Sequence, residues 1–298
     1  MAVRTLATGL RFPEGPIAMP DGSVVLVEIG RGTLSRVLPN GIVEVIAKLG
    51  GGPNGAAMGP DGKCYVCNNG GFKWIERDGR LFPGEQPDDY AGGSIQRVDL
   101  STGTFETLYT SCDGRGLRGP NDIVFDRSGG FWFTDHGKTR PRDRDRTGVF
   151  YARPDGEHIV EAIFPMEGPN GIGLSRNEDE LYVAETAPGR LWAYKITGPG
   201  KVGERRLLQG MPGFYMYDSL AVDAAGNVCV ATLINGGISI LSPAGAAPRF
   251  VPVADLLTTN ICFGGPDLKT AYITASSIGQ LLAIDWEGPG LPLNFLNR

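Results

Sequence analysis

The sequence predicts an all-β protein, a six-bladed β-propeller whose blades each contain four strands. Two observations carry this prediction. Glycine and proline, at Gly 45 and Pro 22, make up more than a fifth of the 298 residues and are spread along the whole chain, as expected where many tight turns join short strands. In addition, one layout of strand, turn and strand recurs six times, and such self-similarity is typical of repeat architectures.

Each repeat opens with a polar residue, continues as a short apolar strand, turns, and then enters a second apolar strand. In every repeat the turn falls eight residues after the opening residue. At four of these turns the dipeptide is Asp-Gly, Ser-Gly or Ala-Gly, and the glycine supplies the positive φ that a hairpin requires. The turn positions are Gly22, Gly62, Gly129, Glu178, Gly226 and Leu268.

The spacing of the repeats suits propeller blades. Successive repeats start 40, 67, 49, 48 and 42 residues apart, and a four-stranded blade typically needs about 40–50 residues. The longest interval contains an insertion around Asn69–Gly93, which either covers the mouth of the central channel or packs on the outside of the second blade. We predict one domain over residues 1–298, since a β-sandwich does not explain six repeats in register.

Closure of the ring is expected to use the start of the chain. The stretch Val3–Leu10 belongs to no repeat, and the last repeat lacks a fourth strand of its own. We therefore expect Val3–Leu10 to form the outer strand of the last blade, pairing the N-terminal strand with the C-terminal ones. Such closure leaves only short strand edges exposed.

The residue that opens each repeat carries an oxygen donor. Equivalent positions on the innermost strands of a propeller converge on its axis. Carboxylate and carboxamide oxygens without Cys or His favour Ca²⁺, Mg²⁺ or Mn²⁺ over structural zinc. An isolated Asn or Asp before a turn needs no such role, but six repeats with one donor class favour a cation site. These residues are Glu14, Asn54, Asn121, Asn170, Asp218 and Asn260.

Motifs along the whole chain resemble those of the regucalcin/gluconolactonase family, which also includes diisopropylfluorophosphatase. The motifs include Phe12-Pro-Glu14-Gly, Gly119-Pro-Asn121-Asp122, Gly168-Pro-Asn170-Gly and Asp218-Ser-Leu-Ala-Val-Asp223. The resemblance implies a six-bladed propeller with one catalytic divalent cation, usually Ca²⁺, with Zn²⁺, Mn²⁺, Mg²⁺ or Fe²⁺ left open. It also implies that Glu14, Asn170 and Asp218 are metal ligands, and that Asn121 binds metal or substrate.

The resulting hypothesis is a metal-dependent hydrolase that opens a small sugar lactone. The metal site would comprise Glu14, Asn121, Asn170 and Asp218 and would polarise the lactone carbonyl. Asp218 and Glu14 are the candidate catalytic carboxylates, and Asp218 is expected to accept the proton of the attacking water. The alternatives are an organophosphate or phosphotriester hydrolase of the diisopropylfluorophosphatase type and a non-catalytic calcium-binding propeller.

Four residues are candidates for substrate binding: Asn54, Arg118, Asn121 and His136. Animal members of the family carry an arginine two residues before the third-blade asparagine, where this chain has Gly119. A substrate-binding glutamate expected after the third-blade strand is also missing, and His136 lies in that region. These departures indicate a different substrate, or a differently shaped sugar, from that of the animal members. The run Lys138–Arg146 alternates arginine with aspartate and predicts a solvated loop, or alternatively a wall of the substrate mouth.

Three further acidic residues, Glu28, Asp135 and Glu185, fall at corresponding ends of second strands. We expect them to support the site or bond between blades instead of binding metal directly. The pair Cys64 and Cys67 forms a C-x-x-C, but residues i and i+3 of a strand point to opposite faces. We therefore interpret these two cysteines as small buried side chains.

Bulk properties exclude other classes of function. The net charge of −5 and the pI near 5.2 argue against a nucleic-acid-binding surface, which needs a basic footprint. The chain contains no run of 18 consecutive apolar residues, so the sequence predicts no membrane-spanning helix. Five cysteines, an odd number, fit a reducing compartment, so we expect a cytoplasmic protein. The expected partner is a small-molecule lactone, and the oligomeric state is left open.

Overall fold

Residues 2–297 are described from a computed structural model of the chain. They contain 28 β-strands and no α-helix. Within this range, then, no helix has the length and apolarity that crossing a membrane requires. Six four-stranded antiparallel sheets account for 24 of the strands, and two short two-stranded sheets account for the other four. The sheets are arranged as the six blades of a propeller, which confirms the fold predicted from the sequence.

The strands of the first three blades follow the chain from the axis outwards, and strand β1 (Val3–Ala7) precedes them. Blade 1 consists of β2 (Pro13–Ala18), β3 (Val24–Glu28), β4 (Thr33–Val37) and β5 (Val43–Lys48). Blade 2 consists of β6 (Pro53–Met58), β7 (Cys64–Asn68), β10 (Ser94–Val98) and β11 (Phe105–Tyr109), with the hairpin β8 (Trp74–Arg77) and β9 (Arg80–Pro83) inserted. After the small pair β12 (Ser111–Cys112) and β13 (Arg115–Gly116), blade 3 consists of β14 (Pro120–Phe125), β15 (Phe131–Asp135), β16 (Thr147–Ala152) and β17 (Ile159–Met166).

The remaining three blades repeat the same order. Blade 4 consists of β18 (Pro169–Leu174), β19 (Glu180–Glu185), β20 (Arg190–Gly198) and β21 (Lys201–Leu207). Blade 5 consists of β22 (Met216–Val222), β23 (Val228–Leu233), β24 (Gly237–Leu241) and β25 (Arg249–Pro252). Blade 6 consists of β26 (Thr258–Gly264), β27 (Thr270–Ala275), β28 (Gln280–Asp285) and, as its outer strand, β1.

The outer strand of blade 6 comes from the start of the chain, as the sequence predicts. β1 pairs antiparallel with β28, with Val3 opposite Ile284 and Ala7 opposite Leu281. The six inner strands also form a closed ring, because each contacts the inner strand of both neighbouring blades and β26 returns to β2. Six apolar clusters fill the seams between adjacent blades. The core is therefore distributed around the ring and surrounds the axis.

The hairpin turns between first and second strands adopt the conformation that the repeat predicts. All six turn residues have a φ between 56° and 86°, including the two that are not glycine, Glu178 at 59° and Leu268 at 56°. An L residue with a side chain rarely adopts this left-handed region. The shared backbone geometry at these two positions shows that the repeat is conserved in structure where its sequence has diverged.

Every inner strand also contains a β-bulge. Between β14 and β15, for example, Pro120 pairs with Asp135 and Ile123 with Phe133, so β14 has one residue more than its partner. Equivalent irregularities occur in the other five blades, at or next to the residue that opens the repeat. A bulge interrupts the alternation of side chains and re-aims them. Adjacent residues of one strand can therefore both lie near the axis.

The two ends of the central channel differ. We call the face on which the inner strands begin the upper face, and the opposite one the lower face. Residues Gly290–Asn297 run across the lower face, where the Asn294 side-chain amide donates to the Phe125 carbonyl at 3.0 Å and to Glu178 Oε1 at 2.8 Å. Leu291 borders a cavity of about 100 Å³, lined mainly by apolar channel residues, that reaches up to Asp122 and Asn260. This segment closes the lower end of the channel.

The insertion at residues 69–93 lies on the upper face. The ring of Trp74 packs on that of Phe12 at a centroid distance of 5.2 Å, and the Leu81 amide donates to the Ser277 carbonyl at 2.9 Å. Arg80 forms an ion pair of 3.0 Å with Asp255. The insertion thus reaches blade 1 and the loops of blade 6, so it is not confined to the outside of blade 2, the second of the two placements considered from the sequence.

Candidate active site

The six residues that open the repeats lie together at the upper end of the channel. Their positions on the closed ring of inner strands bring them to the axis, and each is between 2% and 8% exposed. We call them the donor ring: Glu14, Asn54, Asn121, Asn170, Asp218 and Asn260. Polar side chains so deeply buried need partners, since an unpaired buried polar group costs free energy.

Glycine at the next position allows neighbouring inner strands to approach closely. A Cβ built on Gly171 would lie 2.6 Å from the carbonyl oxygen of Asp218, and one on Gly15 would overlap the carbonyl of Asn54. No real side chain could occupy these positions without moving the adjacent strand. The glycines therefore set the diameter of the donor ring by bringing adjacent ring residues close to each other.

Direct hydrogen bonds orient several members of the donor ring. Asn260 Nδ2 donates to Glu14 Oε2 at 2.7 Å, which joins the last blade to the first. The backbone amide of Gly15 donates to the same oxygen at 2.7 Å. In blade 4, Asn170 Nδ2 donates to Thr186 Oγ1 at 3.1 Å, which directs its Oδ1 away from that hydroxyl. Asn170 Oδ1 accepts a hydrogen bond of 3.4 Å from the Ser219 hydroxyl and Asn260 Oδ1 one of 2.8 Å from the Ile261 amide, and an amide oxygen has a second lone pair that a ligand can use.

Three carboxylates share this small buried volume. Burial raises the pKa of Glu14 to about 7. Burial, with the nearby charge of Glu14 as the next cause, raises the pKa of Asp122 to about 7 and that of Asp218 well above its usual range. Like charges that are close together in a poorly solvated site each disfavour ionisation of the other. Ionisation of these three carboxylates is therefore unfavourable in free energy, and a bound cation would offset their mutual repulsion.

Asp122 is a site residue that the repeat analysis did not select. It occupies the position that is glycine in blades 1, 2 and 4, and its Oδ2 accepts a hydrogen bond of 3.3 Å from the Ile172 amide. The bulge in β14 explains how it and Asn121 can both be buried beside the axis. A signal was present in the sequence, since an acidic residue replaces a glycine at one repeat position of the six.

The donor set fits a hard divalent cation. Asn121 Oδ1 is buried and has no hydrogen-bond partner, which is unusual for a buried amide oxygen. Within residues 2–297, no three His, Cys, Asp or Glu side chains form a cluster able to hold a metal by themselves. A cation here would therefore depend on amide oxygens together with the carboxylates of Glu14 and Asp218, as in oxygen-rich Ca²⁺ sites.

Acidic residues at the ends of the second strands support the donor ring from behind. Glu28, Asp135 and Glu185 each accept a hydrogen bond from the backbone amide three residues before a ring residue. The donors are the amides of Arg11, Arg118 and Glu167, at 2.8, 2.7 and 2.7 Å. Each carboxylate thus fixes the loop that leads into an inner strand, a supporting role that matches the expectation from the sequence.

The substrate-binding candidates lie at different depths. Asn54 is on the donor ring between Glu14 and Asn121. Arg118 is exposed near the rim, and its carbonyl accepts a hydrogen bond from the Tyr90 hydroxyl at 2.5 Å. His136 lies between blades 3 and 4, where its amide donates to the Gly119 carbonyl at 2.9 Å. Asn121 and Asn54 therefore face a ligand on the axis, whereas Arg118 could reach only its outer part.

Burial keeps His136 neutral. Desolvation first, and then the charges of Arg144 and Lys138, lower the pKa of its imidazole to about 4. The ring bonds to the Pro169 carbonyl, while Nδ1 is buried without a partner. A neutral imidazole nitrogen with no donor opposite it can accept a hydrogen bond. The imidazole of His136 is therefore uncharged near pH 7.

The prediction of a solvated loop at Lys138–Arg146 is wrong for Lys138. Its side chain is 2% exposed, and Nζ donates to Asn69 Oδ1 at 3.1 Å and to the Gly71 carbonyl at 2.6 Å. The ammonium also lies 4.3 Å from the centroid of the Phe72 ring. The charge alternation concealed this role, because the partners of Lys138 come from the insertion and not from the loop itself.

The cysteines take no part in the site. Cys64 and Cys67 are both free and buried in β7. Burial raises the pKa of the Cys64 thiol to about 12 and that of Cys67 well above its usual range. Both are therefore protonated at neutral pH and unsuited to metal binding, which requires a thiolate.

Comparison with known proteins identifies the family. The sequence model of the family described as the SMP-30/Gluconolactonase/LRE-like region matches residues 12–277. The chain belongs to this family. Among its relatives, a gluconolactonase from Zymomonas mobilis is 27% identical over 92% of this chain and 79% of its own length. The diisopropyl-fluorophosphatase of Loligo vulgaris is 28% identical over 65% of this chain and 66% of its own length.

Solved structures of SMP-30/gluconolactonase-like proteins have the same fold. A gluconolactonase from Xanthomonas campestris superposes with a TM-score of 0.76 at 21% identity, covering 94% of this chain and 88% of that one. A calcium-binding protein, regucalcin, from Agrobacterium tumefaciens superposes with a TM-score of 0.75 at 19% identity, covering 98% of both. At these identities the likeness concerns the architecture. The relatives that share more sequence are named as hydrolases.

Proposed function

We propose that this protein is a divalent-metal-dependent hydrolase that opens a small sugar lactone. One observation carries the proposal: the carboxylates of Glu14, Asp122 and Asp218 are buried together with amide oxygens, and no ion pair neutralises them among the described residues. The relationship to a named gluconolactonase over 92% of the chain supports lactones as the substrate class.

Four residues would hold the cation: Glu14, Asn121, Asn170 and Asp218. When bound, a divalent cation supplies a Lewis acid for the ester carbonyl. The size of the donor set and its oxygen chemistry favour Ca²⁺, and the relationship to a calcium-binding regucalcin fold is in keeping with this choice. Asn54 lies next to the ligand set and offers an amide for a substrate hydroxyl.

Asp218 is the proposed general base. As water adds to the ester carbon, the Asp218 carboxylate accepts one of its protons, and that proton then passes to the ring oxygen as the ring C–O bond breaks. The product is the open hydroxy acid. In the blade next to that of Asp218, the side-chain amide of Asn260 donates to Glu14 and fixes the position of that carboxylate.

The test measures opening of glucono-1,5-lactone by pH-stat, together with calorimetric Ca²⁺ binding. We expect chelation to abolish turnover, and Asp218→Asn or Glu14→Gln to lower kcat/KM by about 10²–10⁴-fold with weaker Ca²⁺ binding. Asp223→Asn is the matched control, because Asp223 directly follows the same strand at its other end and its side chain, among the described residues, bonds to Asn227. Full activity in chelated Asp218→Asn protein would contradict the proposal.

A second candidate function is hydrolysis of a fluorophosphate or other phosphotriester. The 28% identity to a diisopropyl-fluorophosphatase over 65% of the chain supports this second candidate. Asp218 would then attack phosphorus and displace fluoride or an alkoxide, and water would hydrolyse the resulting phosphoryl–carboxylate bond and regenerate Asp218. Assay of a lactone and a fluorophosphate side by side distinguishes the two. A chain that binds Ca²⁺ tightly and turns over neither is a calcium-binding propeller.

We also propose a cytoplasmic location and a small-molecule partner. All five cysteines are free and buried, which suits a reducing compartment. Fractionation of cells that express the protein from its own promoter would test the location.

A further inference from the structure

We propose that Arg144, assisted by His136, selects lactones that carry an oxyanion, a carboxylate or a phosphate, on the carbon farthest from the ester. This inference rests on the proposed function and goes beyond it by naming the charge of the substrate. It depends on where the Arg144 guanidinium lies, on the absence of an ion-pair partner for it within the described residues, and on its distance from the donor ring.

Arg144 packs on the loop that leads into blade 4. A Cβ on Gly168 would collide with the Arg144 guanidinium, and the same point lies 3.1 Å from Cε1 of His136. Gly168 has a φ of 61° and stands two residues before Asn170 of the donor ring. The guanidinium and the imidazole are thus side by side on the upper face, at the seam between blades 3 and 4.

The carboxylates next to Arg144 are used by other cations. Asp145 accepts a hydrogen bond of 2.8 Å from Arg140 and another of 3.0 Å from the Lys138 amide. Glu167, beside Gly168, forms an ion pair of 3.2 Å with Arg146. Among residues 2–297, no carboxylate lies within ion-pair distance of Arg144, although its side chain is half-buried. A partly desolvated guanidinium without an anion favours binding one.

His136 adds an acceptor beside this cation. Its Nδ1 is buried and has no hydrogen-bond partner, whereas the Pro169 carbonyl engages the ring elsewhere. A neutral imidazole accepts from a hydroxyl and does not repel the neighbouring guanidinium as an imidazolium would. The pair therefore suits a group with an oxyanion next to a hydroxyl, which is the end of a sugar acid or a sugar phosphate.

The distance to the donor ring fits one six-carbon substrate. Gly168 stands two residues before Asn170, so their Cα atoms are at most about 7 Å apart, and the guanidinium over Gly168 lies about one sugar length from Asn170. A lactone whose ester carbonyl meets Asn121, Asn170 and Asp218 can therefore place its opposite terminus at Arg144.

The experiment compares three lactones: glucono-1,5-lactone, which is neutral, glucaro-1,4-lactone, which carries a carboxylate, and 6-phosphoglucono-1,5-lactone, which carries a phosphate. We expect the Ca²⁺-loaded wild type to prefer one of the charged lactones. Arg144→Gln should lower kcat/KM for that lactone by about 10- to 100-fold, as expected for losing a charge-assisted hydrogen bond. The neutral lactone should change by less than about twofold. Arg144→Lys should retain part of the preference, because lysine keeps the charge without the planar fork.

Arg142→Gln is the matched control, since Arg142 is an exposed arginine of the same loop, and it should behave as wild type. Calorimetric binding of D-glucitol 6-phosphate, set against uncharged D-glucitol, gives a readout independent of turnover. Binding of the phosphate should weaken in Arg144→Gln and not in Arg142→Gln.

The outcomes separate this inference from the proposed function. If all three lactones are opened equally well and Arg144→Gln alters none of them, the inference is wrong and the lactonase proposal stands. If no lactone is opened, the proposed function fails, and the glucitol phosphate titration then decides for or against an oxyanion site at Arg144.

Discussion

At the scale of single residues, Lys138 shows how a buried charge links two parts of the molecule. Its ammonium is enclosed by the insertion, through Asn69, Gly71 and the ring of Phe72. Desolvation lowers its pKa from 10.5 to about 7. The residue therefore holds the insertion against blade 3 while losing much of its preference for the protonated state.

The pKa of Lys138 predicts a pH dependence of stability. Between pH 7 and 10.5 the unfolded chain binds a proton at Lys138 that the folded protein does not, so the free energy of unfolding should rise with pH. The slope from this residue is at most about 1.4 kcal/mol per pH unit. In urea unfolding at pH 7, 8 and 9, the free energy of unfolding of the wild type should rise with pH relative to that of Lys138→Met by up to this slope, because the other titrating groups are common to both proteins.

Lys201→Met serves as the control, because Lys201 is exposed on β21, and it should keep the wild-type slope. Parallel pH curves for wild type and Lys138→Met would show that Lys138 titrates as an ordinary surface lysine.

Residue-level features divide into those that the sequence reveals and those that it does not. The six donors could be predicted because each opens a repeat, and repetition makes a position visible without an alignment. Asp122 could not be selected in this way, because it interrupts the repeat and reaches the axis only through a bulge in β14. The burial of Lys138 and the unpaired state of Arg144 depend on contacts between distant segments, which local charge patterns do not encode.

At the scale of strands, the packing of one inner strand on the next determines the geometry of the site. Gly171 on β18 faces the backbone of Asp218 and Leu220 on β22. The bulges then turn the opening residues towards the axis. The strands and turns could be predicted from apolar runs and Asp-Gly signals, whereas the bulges leave no local signal beyond the glycine that follows the donor in blades 1, 2 and 4.

Substitution of Gly171 tests this packing. A Cβ there would lie 2.6 Å from the Asp218 carbonyl oxygen and 2.9 Å from the Leu220 amide nitrogen, so β18 and β22 must separate. We expect Gly171→Ala to lower the free energy of unfolding by about 1–3 kcal/mol. Calorimetric Ca²⁺ affinity should fall as well, because Asn170 and Asp218 move apart.

Gly198→Ala is the control for Gly171→Ala. Gly198 is also in blade 4, but a Cβ on it would meet nothing within 4 Å, so both stability and Ca²⁺ affinity should remain at wild-type values. Unchanged stability in Gly171→Ala would mean that the strands are not in the close contact described.

At the scale of the whole molecule, the N-terminal strand joins the two ends of a closed ring. β1 covers the outer edge of β28, and Ala7 and Leu10 pack with Leu26 and Leu281 between blades 6 and 1. We propose that residues 1–298 form one cooperative unit for this reason. Closure was predictable from the sequence, because the last repeat lacked a strand and the first segment lacked a repeat.

Deletion of residues 2–8 tests this closure. The edge of β28 would lose its backbone partners and an apolar seam would be exposed, so the free energy of unfolding should fall by at least about 3 kcal/mol. Light scattering should show association through the open edge. Arg4→Gln, which removes only an exposed ion pair with Asp285, should cost less than about 1 kcal/mol. A truncated protein with the wild-type urea midpoint would refute cooperative closure.

The segment Gly290–Asn297 determines how substrate and product enter and leave the central channel. Because Asn294 bonds to blades 3 and 4 across the lower face, the channel is closed at its lower end and open at the upper face. Substrate and product must therefore both pass through the opening at the upper face. Release of one product and entry of the next substrate compete for this opening. The insertion at 69–93 and the loop at 138–146 border this upper opening, so substitutions of those of their side chains that face it should affect substrate binding and product release together, whereas substitution of the exposed Arg142 should not.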